Sequence, residues 1–285
     1  MRLALIFNKD REDTIGRYFE HAAAGLGIEF DHFRTSDTGI PAGYDLYLRI
    51  DHGDYKYDIP EHLKPSAFYA IDTHLEKPYK KIKEQARHYG FVFCAQKNGV
   101  VKLKRDIGIE AEWIPIACDP EIHKDLNIER KLDIAFVGTE GKNNLRGELL
   151  KALARRYPNS YIGRADLRLM SNIYSSAKVG FNYSINNDIN MRMFEVLSCG
   201  ALLVTNKIKG GSGFNELFCD GKNAVVYGSG ARSRRSGSEL FNKIDFYLSH
   251  AEERKRIAGE GHSLAVSRYT YKVRLKQMLE ACGWK

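Results

Sequence analysis

The segment 190–200, NMRMFEVLSCG, carries an arginine and a glutamate in a pattern that suits a ligand with phosphate and hydroxyl groups. Arg192 and Glu195 stand at i and i+3, so on a helix they share one face, while the apolar residues around them can pack inward. An arginine can hold phosphate oxygens with its planar fork, and a carboxylate can accept hydrogen bonds from two ribose hydroxyls. The same spacing suits an ordinary surface ion pair, and the local pattern leaves both interpretations open.

A second candidate is the glycine-rich turn 138–141, GTEG, which follows the apolar run LDIAFV. It leads into a predicted helix whose first turn holds Arg146. Glycines let a backbone approach a ligand, and the free amides at a helix start favour phosphate, so the turn predicts an anion site. The segment lacks the G-x-G-x-x-G and Walker-A spacings, and a plain tight turn with a solvent-exposed arginine is the alternative.

Acidic and imidazole side chains follow two apolar runs nearer the N-terminus. Asp72 and His74 come directly after one run, in YAIDTH. The other run carries polar residues at its end: Arg49, Asp51, His52 and Asp54. A carboxylate or imidazole in such a place could remove a proton from an acceptor hydroxyl, and we assign Asp72 and His74 as the candidate catalytic residues. The alternative for Asp72 is that it caps the helix that begins near Leu75.

Short apolar runs alternate with helical patterns along the chain, which predicts strands and helices in alternation. Predicted strands in the first half cover 2–7, 28–33, 44–50, 66–71, 91–94 and 111–116, with helices over 13–25, 75–89 and 96–106. The pattern restarts with strands at 132–137, 160–162, 178–183, 201–205 and 223–227 and helices at 145–156, 166–177 and 190–198. Alternation of this kind indicates an α/β fold with two mostly parallel sheets, as in tandem Rossmann-like domains.

The stretch 119–130 is polar and has no clear period, so the domain boundary is placed within it. We predict a first Rossmann-like domain over 1–128 and a second over 129–265. A C-terminal helix over 266–285 is expected to pack back on the first domain.

Charge and cysteine content narrow the class of partner and compartment. The chain has 44 Lys and Arg against 36 Asp and Glu, a formal charge of +8, which suits nucleotide diphosphates, an anionic membrane surface or nucleic acid without choosing among them. The 5 cysteines form no C-x-x-C pair, which argues against a disulfide framework or zinc site and favours a reducing cytoplasm. The opening apolar run is too short for a signal peptide or membrane span. The segment 228–238, GSGARSRRSGS, reads as a basic loop.

Four segments, in order, resemble the C-terminal half of the group-1 glycosyltransferases: DIAFVGT, NMRMFEVLSCGALLVTN, NELFCDGKNAVVY and HAEERKRIAGEGHSLAVSRYTYKVRLKQML. The likeness is to the spore maturation protein CgeB-like branch, and the stretch FVFCAQKNGVVKLKRDIGIEAEWIPIACDPEIH resembles the same branch. The resemblance covers roughly residues 66–280, whereas residues 1–60 match in pattern only.

The resemblance implies a GT-B architecture, with two Rossmann-like domains facing each other across a cleft, the donor on the C-terminal domain and the acceptor on the N-terminal one. The implied reaction moves a hexose from a nucleoside-diphosphate sugar to a hydroxyl of a glycan, protein or small molecule. No metal or cofactor beyond that donor is implied, because helix amides and arginines can neutralise the leaving diphosphate. A nucleic-acid-binding or nucleic-acid-modifying protein and a non-catalytic nucleotide-sugar-binding protein are the alternatives.

The family pattern assigns roles to residues of the first candidate segment by position. Glu195 looks like the glutamate that binds the ribose, and Arg192 and Asn190 resemble contacts on the diphosphate side. Many relatives carry a further glutamate eight positions before Glu195, near the donor sugar. Here Asn187 stands there, with Asp188 beside it, so the sequence departs from its relatives where the sugar is recognised.

The resemblance also assigns the turns after the first two strands of the C-terminal half. Gly138 and Thr139 look like the turn that faces the phosphates. Gly163 and Arg164 fall where relatives hold the base. Together with Arg146, these residues complete the predicted substrate-binding set.

Overall fold

The structure is a computed structural model that describes residues 1–53, 55–141, 144–228 and 234–284, and the side chains of 234–237 are also left undescribed. The predictions for Asp54 and for residues 229–233 of the basic loop therefore lie outside the described residues. The rest of that prediction is wrong at its C-terminal end, because residues 234–238 belong to a helix that begins at Arg234. The chain forms two compact units. Unit 1 comprises Met1–Ile116 and Tyr271–Lys285, and unit 2 comprises Ala117–Thr270.

Unit 1 is a parallel sheet with helices. Its elements are β1 (Arg2–Ile6), α1 (Ile15–Ala24), β2 (Glu29–Phe33), β3 (Leu46–Ile50), β4 (Ser66–Ala70), α2 (Glu76–Gln85), β5 (Phe91–Cys94), α3 (Lys97–Ile107), β6 (Glu112–Trp113) and α10 (Tyr271–Ala281). The strand order within the described residues is β2-β1-β3-β4-β5-β6. Strands β3 and β4 are buried along their whole length, as expected of central strands in a parallel sheet. The predicted last strand, 111–116, is shorter in the structure because Pro115 has no amide to donate to a ladder.

Helix α10 packs on α1 within unit 1. The rings of Tyr18 and Tyr271 stack with centroids 5.1 Å apart, and Phe19 meets Tyr271 edge-on at 5.3 Å. All three side chains are buried. The prediction that the C-terminal helix packs back on the N-terminal half is confirmed. The helix begins at Tyr271 rather than at 266, because α9 continues to Arg268.

Unit 2 repeats the same plan. Its elements are β7 (Leu132–Val137), α4 (Leu145–Arg156), β8 (Ser160–Gly163), α5 (Leu167–Ser175), β9 (Ala177–Asn182), α6 (Met191–Ser198), β10 (Leu202–Asn206), α7 (Phe214–Leu217), β11 (Val225–Tyr227), α8 (Arg234–Ser249) and α9 (Ala251–Arg268). The strands are parallel in the order β11-β10-β9-β7-β8. The order reverses between β7 and β9, which makes their carboxyl ends the topological switch point of this sheet.

Helix α6 lies close against β9. Gly180 permits this approach, since a Cβ there would stand 2.3 Å from Cγ1 of Val196. The helix starts after Asn190, whose backbone is extended, and Gly200 follows its end with a φ of 70°. The predicted helix limits are thus close to those observed, and the N-terminus of α6 lies at the carboxyl edge of the sheet.

The polar connection before β7 belongs to unit 2, so this unit starts earlier than the predicted boundary at 128. The amide of Lys124 donates to Oγ of Ser171 at 2.9 Å. The Arg130 guanidinium donates to the carbonyl oxygen of Tyr174 at 3.0 Å. These hydrogen bonds attach an aperiodic segment to α5, which composition alone does not reveal. Among the described helices, none combines the length and apolar character needed to cross a membrane.

Candidate active site

The guanidinium of Arg192 lies at the switch point of the unit 2 sheet. Its Nε donates to the carbonyl oxygen of Val137 at 2.9 Å, and its Nη1 donates to Oδ1 of Asn182 at 3.1 Å. Val137 ends β7 and Asn182 ends β9, so one side chain from α6 joins the two strand ends. Ligands of open α/β sheets bind in the crevice at this position.

Arg146, in the first turn of α4, is a second cation near the same strand end. Its guanidinium lies over the ring of Phe136 at 5.9 Å, and that of Arg192 lies over the same ring at 4.4 Å. Neither arginine takes part in an ion pair with any described carboxylate. Burial and the neighbouring Arg192 charge lower the pKa of Arg146. Two half-buried cations that repel each other form a site that an anion such as a diphosphate would stabilise.

The turn after β7 faces these cations. Gly138 has a φ of 142°, and a Cβ on it would stand 2.3 Å from Nη2 of Arg192, so the glycine makes room for the guanidinium. The Gly138 amide donates to the carbonyl oxygen of Gly163 at 2.8 Å. Arg164 donates from Nη2 to Oγ1 of Thr139 at 3.3 Å. The structure therefore brings Gly138, Thr139, Gly163 and Arg164 together with Arg146 and Arg192.

The loop before α6 holds the residues predicted for the sugar end. Asn187 has a φ of 59°, and its Oδ1 accepts a hydrogen bond from the amide of Lys209 at 2.7 Å. Asp188 accepts from Oγ of Ser184 at 2.6 Å, and its charge acts on Arg146. Asn190 stands at the N-cap, but its Oδ1 is buried without a hydrogen-bond partner among the described residues. Asp188 and Asn190 can thus each offer a polar atom to a ligand.

Glu195 does not share an open face with Arg192, and the expectation of a side-by-side cation and carboxylate is wrong. The Glu195 side chain is only 7% exposed, and its Oε1 lies 3.7 Å from Nε2 of His123. Arg192 turns to the ends of β7 and β9 instead. Packing explains the difference. The Glu195 side chain is buried by α6, whereas Arg192, in the first turn of the same helix, reaches the edge of the sheet. The alternative interpretation, a surface ion pair between Arg192 and Glu195, is wrong as well.

His123 lies beside Glu195 in the interior of unit 2, a proximity that sequence reasoning did not predict. It is 1% exposed, and burial lowers the pKa of its ring to about 4 against the opposing charge of Asp119. The imidazole is therefore neutral at physiological pH. No sequence signal connects His123 to Glu195, because the pairing depends on how the segment before β7 packs on α6.

In unit 1, the loops after β3 and β4 are joined by one carboxylate. Asp51 is buried, and its Oδ2 accepts from the amides of Ile71 and Asp72 at 3.0 and 3.2 Å and from the Tyr55 hydroxyl at 2.9 Å. The Gly53 amide donates to Oδ1 at 3.0 Å. These donors make Asp51 an anchor for the backbone rather than a base open to an acceptor.

The turn that Asp51 holds carries both predicted catalytic residues, Asp72 and His74, which are half-buried. Asp72 does not occupy the N-cap of α2. Leu75 stands there, and Asp72 accepts the Leu75 amide through its backbone carbonyl at 3.1 Å. Across the described ranges, no group of three or more His, Cys, Asp or Glu is placed to hold a metal ion.

Comparison with known proteins identifies the family. The model of the Glycosyl transferase-like family matches residues 122–280, more than half of the chain, and the chain belongs to this family. The CgeB-like branch remains a prediction. A search of curated proteins gave no match.

Solved structures establish the fold. HepE of Anabaena, in complex with UDP and glucose, aligns with a TM-score of 0.70 at 12% identity over 99% of both chains. Sucrose-phosphate synthase from Thermosynechococcus elongatus gives 0.65 at 11% over 99% of this chain and 98% of that one. An α-glucosyltransferase in complex with UDP-glucose and DNA containing an abasic site gives 0.67 at 12% over 99% of both. The prediction of a GT-B fold with two parallel-sheet α/β domains is confirmed.

Proposed function

We propose that this chain is a glycosyltransferase that moves a hexose from a nucleoside-diphosphate sugar to a hydroxyl of a glycan, protein or small molecule without a metal ion. Unit 2 binds the donor, and the acceptor hydroxyl is activated on unit 1 near Asp72 and His74. The single observation that carries the proposal is a pair of cations, Arg146 and Arg192, that form no ion pair with a carboxylate in the described part of the chain and lie at the switch point of a sheet in a member of this family.

The two arginines suit the leaving diphosphate. Negative charge grows on that group as the glycosidic bond breaks, and fixed cations and amides at a helix start stabilise such charge in place of a metal ion. The Gly138 turn allows the phosphates to approach the backbone, and Arg164 and Gly163 lie where a base would extend from them. UDP-sugars are the first donors to test, because HepE and the α-glucosyltransferase have been crystallised with UDP or UDP-glucose.

On the acceptor side, Asp72 and His74 follow the end of β4. A carboxylate or imidazole there can accept the hydroxyl proton while the sugar bond forms. Asp51 fixes the backbone amide of Asp72, so the turn that carries both groups is held in one conformation. In that arrangement Asp72→Asn and His74→Gln should lower turnover more than donor affinity.

Release of nucleoside diphosphate tests the reaction directly. The protein is incubated with UDP-, GDP-, ADP-, CDP- and dTDP-sugars, with and without EDTA and with candidate sugar acceptors. The proposal predicts release from at least one donor that exceeds the no-protein control and persists in EDTA. Loss of nucleoside diphosphate release in EDTA would contradict metal independence. No release from any donor with any acceptor would contradict the proposal that the chain is an enzyme.

A nucleic-acid acceptor or partner is the second candidate. The net charge of +8 favours it, and one structural neighbour was crystallised with DNA. Binding to DNA or RNA through phosphates falls steeply with salt, so a titration of binding against salt concentration decides. A steep slope together with sugar transfer to the nucleic acid would identify nucleic acid as the acceptor, in place of a glycan, protein or small molecule.

A non-catalytic nucleotide-sugar-binding protein is the third candidate function. Asn187 favours it, because an amide replaces the glutamate of many relatives and is engaged with the Lys209 backbone. Donor release in the assay above would exclude it.

A further inference from the structure

The turn after β4 carries Asp72 and His74 and is held from both sides. Strands β3 and β5 flank β4 in the sheet of unit 1. Asp51 follows β3, and its Oδ2 accepts a hydrogen bond from the Asp72 amide at 3.2 Å. Helix α3 follows β5, and Nζ of Lys102 on this helix donates to the carbonyl oxygen of Thr73 at 3.0 Å. A carboxylate and an ammonium group therefore hold the backbone of the same turn.

Each of these two hydrogen bonds fixes one planar peptide group. Asp51 holds the peptide that ends at the Asp72 amide, and Lys102 holds the peptide that links Thr73 to His74. A peptide plane includes the Cα atom of the residue that follows it. The Lys102 hydrogen bond therefore locates the Cα atom of His74, as the Asp51 hydrogen bond locates that of Asp72.

Lys102 is oriented toward the turn by an aromatic ring. Its Nζ lies 5.1 Å from the ring centroid of Tyr79 on α2, which is within the range of a cation–π contact. The Tyr79 side chain is buried, and its hydroxyl donates to Oδ2 of Asp106 at 2.9 Å. Lys102 is half-buried. The ammonium group is thus placed between a fixed ring and the Thr73 carbonyl.

Close packing of α3 on the turn brings Lys102 within reach. The Thr73 side chain is buried, and a Cβ added at Gly99 would stand 2.3 Å from its Oγ1. Gly99 lies in the first turn of α3, so this glycine lets the helix approach the turn. Lys102 stands three residues after Gly99 and therefore shares the helix face that meets Thr73.

We propose that Lys102 is a positioning residue for activation of the acceptor: its ammonium group holds the peptide before His74 and so sets the position of His74 relative to the acceptor hydroxyl. The inference rests on the proposed function, in which that hydroxyl is activated near Asp72 and His74. A general base must lie within hydrogen-bond reach of the proton that it removes. A misplacement of about 1 Å can lower turnover about a hundredfold. A purely structural Lys102 would affect stability alone.

Three substitutions separate these roles. Lys102→Met removes the ammonium group and retains a long, unbranched, flexible side chain that can still pack beside Tyr79. Lys102→Arg keeps a cationic donor and is the conservative variant. Lys77→Met, at an exposed position of α2, is the matched control for the loss of one lysine charge. Melting temperatures and far-UV circular dichroism show whether each variant folds.

Turnover is measured as release of nucleoside diphosphate, with the donor and acceptor that the assay above identifies. We expect kcat to fall about tenfold to a hundredfold in Lys102→Met and to stay at the wild-type value in Lys77→Met. Nucleotide affinity, measured by calorimetry, should not change in either variant, because unit 2 binds the donor in the proposed function. Lys102→Arg should recover most of the kcat. In a double-mutant cycle, Lys102→Met should lower kcat much less when His74 is already glutamine.

A wild-type kcat in folded Lys102→Met overturns the inference, as does a loss of kcat that is equal with and without His74. If Lys102→Met does not fold, Lys102→Gln decides, because its donor is neutral and ends one bond short of the ammonium position. A wild-type kcat in folded Lys102→Gln then overturns the inference. Failure of the proposed function has a different signature: wild type releases nucleoside diphosphate from no donor, or Asp72→Asn and His74→Gln both keep the wild-type kcat. In either case the inference falls with the proposed function.

Discussion

Nη1 of Arg192 donates to Oδ1 of Asn182 at 3.1 Å, which connects a side chain of α6 to the last residue of β9. Asn182 is itself fixed, because its Nδ2 donates to Oγ1 of Thr205 at 2.9 Å on the neighbouring strand β10. The guanidinium is thus oriented before any ligand arrives. Pre-orientation of this kind lowers the entropy that binding would otherwise lose.

Gly138 should act on nucleotide affinity through Arg192. In Gly138→Ala the added Cβ would stand 2.3 Å from Nη2 of Arg192 and force the guanidinium away, and the φ of 142° adds backbone strain. We expect weaker UDP binding and a lower melting temperature. In a double-mutant cycle measured by calorimetry, Gly138→Ala should weaken binding much less once Arg192 is already alanine.

Gly259→Ala is the matched control for this cycle, because Gly259 is exposed on α9 and nothing lies within 4 Å of a Cβ added there. It should change affinity little. Strict additivity of the Gly138 and Arg192 substitutions would contradict the contact as the cause.

Replacement of Asn187 by the glutamate found in many relatives should destabilise the protein. Its φ of 59° suits asparagine better than glutamate, and its side chain also holds the Lys209 amide. We expect Asn187→Glu to lower the free energy of unfolding by about 1–2 kcal/mol, measured by urea denaturation. Asn186→Glu, at the exposed neighbouring position, should stay within about 0.5 kcal/mol of wild type. Equal stability of both variants would reject the assignment.

His123 should make stability depend on pH. Its folded pKa of about 4 lies below the value of about 6.5 expected when unfolded, so the unfolded chain binds more protons between these two values. Stability should therefore be intact above about pH 6.5 and fall as pH is lowered toward 4, by about 3 kcal/mol from this group. His123→Gln should flatten that part of the profile in urea unfolding. Parallel profiles for wild type and His123→Gln would contradict a buried neutral ring.

Substitutions of Asp51 and Asp72 should affect different properties, stability in the first case and turnover in the second. Asp51→Asn places an amide among four hydrogen-bond donors, and we expect a loss of about 1–3 kcal/mol in unfolding free energy. Asp72→Asn should leave stability close to wild type and lower kcat. Thermal unfolding and steady-state kinetics on both variants provide the measurement. The reverse pattern, with kcat lost in a stable Asp51→Asn protein, would move the base to Asp51.

The sequence predicts the regular elements well and the contacts between distant segments poorly. Apolar runs and caps locate β7, α4 and α6 closely, because local periodicity and end signals determine them. The reversal of strand order between β7 and β9 has no local signal, yet it is what places Arg192 at the switch point. The spacing of Arg192 and Glu195 predicts a shared face correctly for an ideal isolated helix, but packing of the segment that carries His123 buries the glutamate.

Binding of nucleotides tests the central claim most directly. Thermal shifts with UDP, GDP, ADP, CDP and dTDP compounds are measured on wild type, Arg192→Ala and, as the exposed control, Arg268→Ala. Since a ligand of the native state raises stability by mass action, at least one compound should raise the melting temperature of wild type and of Arg268→Ala. Affinity should fall about tenfold to a hundredfold in Arg192→Ala. No shift with any nucleotide, or equal shifts in all three proteins, would contradict a donor site at Arg192.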